Sequence, residues 1–224
     1  FYEGDIGSSI ACHVRQRDGY LTQEVLRRYE PLVRDSLVVN VGDWRIATNP
    51  PPAVGGAVLA AMLLAFDRQP ISQWNDGSLR QLLRVQQAAL SYRKQELDLS
   101  EDLPRDAARM LDLARSGDLL SRWTSGSTVH TSAVDGNGLV CAITASSGYG
   151  SGEMPTGTGL WLNNCLGELE LNSKGFAAGP PGRRLPSNMA PSAARSAKAA
   201  LAIGSPSADR ITTALHQFLI NYVQ

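Results

Sequence analysis

Apolar residues Ile6, Ile10 and Val14 recur at helical spacing with Ser8 and Ser9 on the polar side, which predicts an amphipathic helix over residues 5–17 that Gly19 ends. Thr22 is placed to cap a second helix over 23–28, which Glu30-Pro31 stops. The period then changes, because residues 37–40 and 44–47 are short apolar or β-favouring runs around Val41-Gly42-Asp43, the pattern of a hairpin. Asn49-Pro50-Pro51-Pro52 predicts an extended stretch leading to Gly55-Gly56 and an apolar helix. The glycine pair has two readings: backbone N–H groups offered to an anion at a helix start, or close packing of that helix against a sheet, the second being favoured.

Helical patterns follow over 78–97, with Leu79, Leu82, Leu83 and Leu90 on one side, and over 104–114, with Pro104 in the first turn. Residues 116–127 are rich in Gly, Ser and Thr without an apolar period and read as a connection. Strict alternation returns over 129–134 and 139–145 around Asp135-Gly136-Asn137-Gly138, whose Asn-Gly is a strong hairpin signal, so two antiparallel strands are expected. A last helix is predicted over 207–224.

Composition narrows the classes. A chain of 224 residues with formal net charge +0 and 43% hydrophobic content buries one substantial core, as one large domain or two small ones. It carries neither the basic footprint of a nucleic-acid binder nor the composition of a disordered chain. The longest apolar run, residues 54–66, is too short and too rich in Gly and Ala to span a bilayer, and the first residues do not form a charged-then-apolar signal segment. Cys12, Cys141 and Cys165 are odd in number and lack metal-ligand spacing, so they are expected to be buried or half-buried thiols. Asp67, Asp76, Asp98 and Asp102 read as solvated helix caps and faces.

Candidate chemistry centres on Thr128, which heads the first alternating segment. A threonine hydroxyl is a poor nucleophile until a base takes its proton, and the economical base is the α-amino group that cleavage before Thr128 would liberate. That amine titrates near neutrality, with an ordinary pKa of roughly 7.7–8.0. His130, taken alone, is a strand or core histidine.

Taken with Leu162-Asn163-Asn164 and Arg184-Leu185-Pro186-Ser187-Asn188-Met189-Ala190-Pro191, the stretch Gly126-Ser127-Thr128-Val129-His130 resembles the gamma-glutamyltransferase (gamma-glutamyl transpeptidase) family. This family belongs to the N-terminal-nucleophile hydrolases, and its precursors cleave themselves before a threonine in a Gly-Thr-Thr-His-like context. The resemblance covers almost the whole chain, most closely over 127–210 and more weakly over 1–67. It implies an α+β fold, a partial four-layer αββα sandwich. Residues 1–127 would be the mainly helical end of a large-subunit-like region closing in a processing linker, and 128–224 a small-subunit-like catalytic region of the same composite domain.

The resemblance also implies roles. Cleavage would fall between Ser127 and Thr128. Thr144 matches a second threonine that hydrogen-bonds the terminal amine, if the turn at Gly136-Asn137 is two residues shorter than usual. Ser146 stands where an asparagine is common and would contact substrate. Tyr149-Gly150-Ser151-Gly152 resembles a Phe-Gly-Ser/Thr-Gly loop, and Gly157-Thr158-Gly159 with Leu160-Trp161-Leu162-Asn163-Asn164 resembles a Gly-x-x-Leu-Asn-Asn strand. Glu168 is in register with the acid, usually aspartate, that binds the substrate ammonium, with Glu170 as the alternative; Cys165 is a departure nearby. Ser187 and Asn188 match a serine pair that donates to the substrate carboxylate, Asn188 replacing the second serine. Ser207 and Ala208 stand where two glycines form an oxyanion hole. They keep the N–H donors, each commonly worth about 3 kcal/mol, but add a Cβ. The family's carboxylate-binding arginine has no match here and is expected upstream of Phe1.

The implied activity is transfer or hydrolysis of a γ-glutamyl group from a glutathione-like donor, through an acyl-Thr128 intermediate, to an amino acid, peptide or water. No metal or cofactor is implied, no nucleic-acid partner and no membrane span. Two chains would arise from one precursor, of which these residues are expected to be a piece. Family members in bacteria are often periplasmic or secreted, which assigns no compartment here. Two alternatives stay open: a related acylase acting on another amide, and a non-catalytic homologue without a working oxyanion hole.

Overall fold

The computed structural model describes residues 1–68, 73–119, 129–148, 150–168, 170–172, 174–175, 182, 184–206 and 210–223. Their helices are α1 (Asp5–Arg15), α2 (Gln23–Arg27), α3 (Val54–Asp67), α4 (Asp76–Tyr92), α5 (Leu103–Ser116) and α6 (Ile211–Val223). The strands are β1 (Leu37–Val41), β2 (Trp44–Thr48), β3 (Val129–Val134), β4 (Val140–Ala145), β5 (Ser192–Arg195) and β6 (Ala200–Ile203). Contacts divide them into two units, Phe1–Arg34 with Ser147–Gly167, and Asp35–Ser146 with Glu168–Gln224.

In the larger unit the sequence of α3 dictates the architecture. A helix apolar on all sides must be covered on all sides, and α3 packs against α4, α5, α6 and β1. Met62, Leu63 and Phe66 are fully buried there. The sheet beneath runs β1-β2-β5-β6, every neighbour antiparallel. Its register places Val39, Ile46, Ala194 and Leu201 in one row across the strands, and all four belong to or pack on the core under α3. The hairpin β3-β4 forms a separate two-stranded sheet that packs against β5 and β6. Helices, sheet and second sheet are thus three successive layers of the αββα order expected.

Helix ends follow their sequences. Asn75 and Ser78 cap α4 reciprocally, with Ser78 N–H donating to Asn75 Oδ1 at 3.1 Å and Asn75 N–H donating to Ser78 Oγ at 2.7 Å. Asp102 Oδ1 accepts from Arg105 N–H at 3.2 Å to start α5, and Gly117 ends it in the left-handed region at φ 103°.

The smaller unit contains α1, α2 and the segment Ser147–Gly167. Thr22 caps α2 as predicted, its Oγ1 accepting from Val25 N–H at 3.2 Å. His13 Nε2 and Arg17 Nε lie 2.7 and 2.9 Å from Glu153 Oε2. The hydrogen bond with His13, helped by Arg17, holds the Glu153 carboxyl below its ordinary range.

Several expectations are corrected. Residues 50–53 form a turn rather than an extended stretch, with Ala53 N–H donating to the Pro50 carbonyl at 3.1 Å and a cis peptide between Pro51 and Pro52. Of the four leucines assigned to one face of α4, Leu82 and Leu90 are buried whereas Leu79 and Leu83 are exposed. Polar Gln86 shares the inward face, because its Nε2 donates to the Thr213 carbonyl at 3.1 Å. The predicted continuation to residue 97 is a π-helical turn, Arg93–Leu97. Asp98 is half-buried rather than a freely solvated cap: it accepts from the buried Arg93 Nε at 3.1 Å. Cys12 and Cys141 are exposed and Cys165 half-buried; Cys141 falls on the outward side of β4, where alternation turns every second residue to solvent. The Leu-Asn-Asn segment is a loop held by two backbone bonds, Ser151 N–H to Leu162 O at 3.1 Å and Leu162 N–H to Glu153 O at 3.0 Å, followed by a 3₁₀ turn.

His216 of α6 is fully buried between Gln86, whose Nε2 lies 3.3 Å from Nδ1, and the edge of Phe66. Burial pushes its pKa from 6.5 to about 3, outweighing the opposing pull of the Met62 carbonyl. The unfolded chain therefore binds a proton that the folded chain refuses between these two values, and stability falls as pH falls through that window. From pH 7.5 to 5 this one group is expected to cost about 2 kcal/mol. Denaturant midpoints should accordingly drop more in the wild type than in His216→Gln, which keeps an acceptor but cannot titrate.

Candidate active site

Two clusters gather the residues singled out in the sequence. The first is built by the alternation of β3 and β4. Their register sets Val129 opposite Ala145, His130 opposite Thr144 and Ser132 opposite Ala142. Antiparallel partners point to the same face, so His130, Ser132 and Thr144 share one side. His130 Nδ1 lies 2.7 Å from Thr144 Oγ1, and Nε2 lies 2.8 Å from Ser132 Oγ. Partial burial holds the imidazole below its ordinary pKa, favouring the neutral ring.

Two anchors fix the hairpin. Asp135 Oδ1 accepts from Asn137 N–H at 2.9 Å and Leu139 N–H at 2.8 Å, so the turn is closed by a side chain, with Gly138 taking the positive φ of 79°. Arg195 of β5 donates to the Gly138 carbonyl. The chain following β6 also meets the hairpin: a Cβ on Gly204 would fall 2.1 Å from His130 Nδ1, so that position admits only glycine while the ring is there.

The second cluster joins the start of α3 to residues 187–191. Gly55 N–H donates to the Ser187 carbonyl at 3.0 Å, beside a parallel bridge between Ala53 and Ser187. Asn49 Nδ2 donates to the Met189 carbonyl at 2.9 Å, and Thr48 Oγ1 to the Pro191 carbonyl at 3.2 Å. A Cβ on Gly55 would fall 2.1 Å from the Asn188 carbonyl oxygen, and one on Gly56 1.9 Å from that of Asn49. Close packing, not an anion, thus accounts for this pair. Ser187 Oγ accepts from Met189 N–H at 3.2 Å, which leaves the hydroxyl proton to donate elsewhere. Asn188 is 6% exposed, and neither side-chain Nδ2 nor Oδ1 has a hydrogen-bond partner among the described residues. Native proteins rarely bury an amide in that state, so both atoms suit a polar ligand.

Glu168 is buried, and its carbonyl closes a turn by accepting from Leu171 N–H and Asn172 N–H at 3.1 Å each. Arg93 Nη2 reaches the Glu170 carbonyl at 3.4 Å, tying this segment to the end of α4. Ser146 follows β4 and is half-buried. Ser127, Thr128, Ser207 and Ala208 lie outside the described residues. A cleft of about 270 Å³ opens beside the second cluster, lined by Pro52, Glu101, Asp102, Leu103, Pro104, Arg184 and Pro186. None of its lining residues had been assigned from sequence. The sequence singles out neither Ser132 nor Asn49, while His130, read there as a strand or core histidine, does lie on β3. Period-two alternation already put His130 and Ser132 on one strand face, whereas no local signal marks Asn49.

The gamma-glutamyltranspeptidase family profile matches residues 1–97 and 78–224, and so accounts for the whole sequence. The chain belongs to that family. It is 23% identical to the glutathione hydrolase proenzyme of Escherichia coli (strain K12), over all of this chain and 44% of the relative. Identity is 26% to the capsule biosynthesis protein CapD proenzyme of Bacillus anthracis, over 99% of this chain and 42% of the relative. It is 23% to the acylase ACY 1 proenzyme of Pseudomonas sp. (strain V22), over 99% and 44% respectively. The chain thus spans less than half the length of these relatives. Among solved structures, the cephalosporin acylase from Bacillus halodurans superposes with a TM-score of 0.77 at 19% identity, covering 100% of this chain and 44% of the acylase. The fold is therefore the αββα sandwich of the N-terminal-nucleophile type, in part.

The packing at Gly55 makes a direct prediction. Gly55→Ala forces the helix start and the 187–189 backbone apart and is expected to cost about 1–3 kcal/mol or more. Gly136→Ala, where a Cβ would meet nothing within 4 Å, should change stability by no more than about 0.5 kcal/mol. Equilibrium denaturation of both variants checks the difference.

Proposed function

We propose that this chain is the core of an autoprocessed threonine-nucleophile enzyme that transfers or hydrolyses γ-glutamyl groups of glutathione-type donors. The supporting observation is the register of β3 on β4. Val129, which follows Thr128 in the chain, pairs with Ala145, and Thr144 and Ser146 flank that pair in sequence. In this reading the Thr128 hydroxyl attacks the γ-carbonyl while its own amine, held by Thr144, takes the hydroxyl proton. The tetrahedral oxyanion is met by the N–H groups of Ser207 and Ala208. Collapse returns the proton to the departing amine and leaves the acyl group on Thr128, from which water or an amino group removes it. Glu168 receives the substrate ammonium, and Ser187 and Asn188 donate to its carboxylate.

Cleavage between Ser127 and Thr128 precedes all of this, because an amide nitrogen has no lone pair for base work. It would divide the chain into a large-subunit-like part, 1–127, and a small-subunit-like part, 128–224. The pairing of β2 with β5, from Thr48 opposite Ser192 to Arg45 opposite Arg195, crosses that division and supports a cut product held together as one domain. Relatives named as acylases favour a second reading, an acylase for another amide, on which the departures at Asn188 and Glu168 also bear.

Two measurements on the full-length protein separate the readings. Mass and N-terminal sequencing should find a second chain beginning Thr-Val-His-Thr. Thr128→Ala should stay uncut and inert, while Thr128→Ser cuts slowly and keeps some activity; an intact chain that still turns over a γ-glutamyl anilide sinks the mechanism, and an intact inert one marks a non-catalytic homologue. Glu168→Gln should weaken γ-glutamyl substrates by about tenfold or more, the scale of a lost charged hydrogen bond, and leave glutaryl analogues nearly unaffected. Equal losses for both would remove Glu168 from the head-group site.

A further inference from the structure

We infer that His130 and Ser132 are positioning residues that fix the direction of the Thr144 hydroxyl, so that its oxygen is presented as an acceptor to the terminal amine. The inference rests on the reading of Thr128 and Thr144 given above and deepens it. For the Thr128 amine to take a proton its lone pair must stay open, so its neighbour has to accept an amine N–H and not donate to the nitrogen. Thr144 carries one proton and two lone pairs, and unless something takes that proton the hydroxyl can turn and block the base. His130 Nδ1, 2.7 Å from Thr144 Oγ1, is placed to take it.

An unprotonated Nδ1 requires the tautomer with its proton on Nε2, and Ser132 Oγ, 2.8 Å away, is placed to accept that Nε2–H. The chain of donors is then consistent: amine N–H to Thr144 Oγ1, Thr144 O–H to His130 Nδ1, and His130 Nε2–H to Ser132 Oγ. A doubly protonated ring would donate from Nδ1 and reverse it, and burial disfavours that form. Gly204 completes the arrangement from the other side. With no room for even a Cβ between its backbone and Nδ1, the ring cannot swing away from Thr144 in that direction. Gly204 also opens the segment that continues to residues 207 and 208, so one imidazole touches both the amine-holding threonine and the start of the chain assigned to the oxyanion.

The test uses the full-length protein and a γ-glutamyl anilide, with the mass of each variant recording the cut at Ser127–Thr128. His130→Leu removes the acceptor and is expected to lower kcat by about tenfold or more with KM within about twofold. His130→Asn, whose Oδ1 takes the place of Nδ1, should stay within about threefold of wild type, and Ser132→Ala should fall between. Nitrogen-15 spectra of histidine-labelled wild type at pH 8, with the His130 signals identified by their loss in His130→Asn, should show a neutral ring protonated at Nε2. That measurement stands even if His130→Leu fails to fold. Wild-type kcat in His130→Leu, equal losses in the Leu and Asn variants that track their thermal stability, or a ring protonated at Nδ1 would each overturn the inference. If the wild type is cut and Thr128→Ala is inert while His130→Leu is unimpaired, only this inference falls; if Thr128→Ala is as active as an uncut wild type, the nucleophile reading falls and takes it along.

Discussion

Two absent Cβ atoms hold the larger unit together. At Gly55 and Gly56 the first turn of α3 lies so close to the backbone of Asn188 and Asn49 that no side chain fits. The remaining architecture depends on that approach. It brings the apolar length of α3 down onto the sheet, and the Gly55 N–H, free at a helix start, finds the Ser187 carbonyl. It also joins residues 49–56 to residues 187–191, which are far apart in sequence and on opposite sides of the proposed cut. The segment 187–191, placed in this way, takes its rigidity from a helix buried on every side.

The hairpin is positioned by different means. It packs against β5 and β6, and the charged side chain of Arg195 holds the turn through the Gly138 carbonyl. The outer face carries Thr131, Ala133, Cys141 and Ile143, all exposed. One face is thus ordered by His130, Thr144 and Gly204, while the other is exposed among the described residues.

Much of this was legible in the sequence where periodicity was strong. The 2.0 period of 129–134 and 139–145 marked the antiparallel hairpin, though not its register, and the 3.6 period marked α1 and α5. It failed where a polar partner outweighed the apolar pattern. Leu79 and Leu83 lost the inner face of α4 to Gln86, because a buried glutamine bonded to His216 and Thr213 is tolerated and the helix rotates to keep it. It failed again at Asp98, whose burial depends on Arg93, a pairing that no local pattern announces. Residue types alone placed Ser187 and Asn188 only through motif likeness. That they sit against α3 follows from the size of glycine, which a sequence reading weighs as a choice between packing and anion binding and cannot decide without the partner backbone.

Asn188 has a thermodynamic consequence. Leaving a buried amide unsatisfied costs about 1–3 kcal/mol, and in the proposed role of Asn188 the substrate is what meets that need, since neither side-chain atom has a partner among the described residues. A molecule that supplies a carboxylate to Nδ2 or a donor to Oδ1 would gain a hydrogen bond there without first displacing a protein partner among the described residues. By linkage, such a ligand raises the melting temperature as it saturates. A variant with an apolar residue of similar size at 188 would start from higher intrinsic stability and respond less to the same ligand, exchanging recognition for robustness at one site.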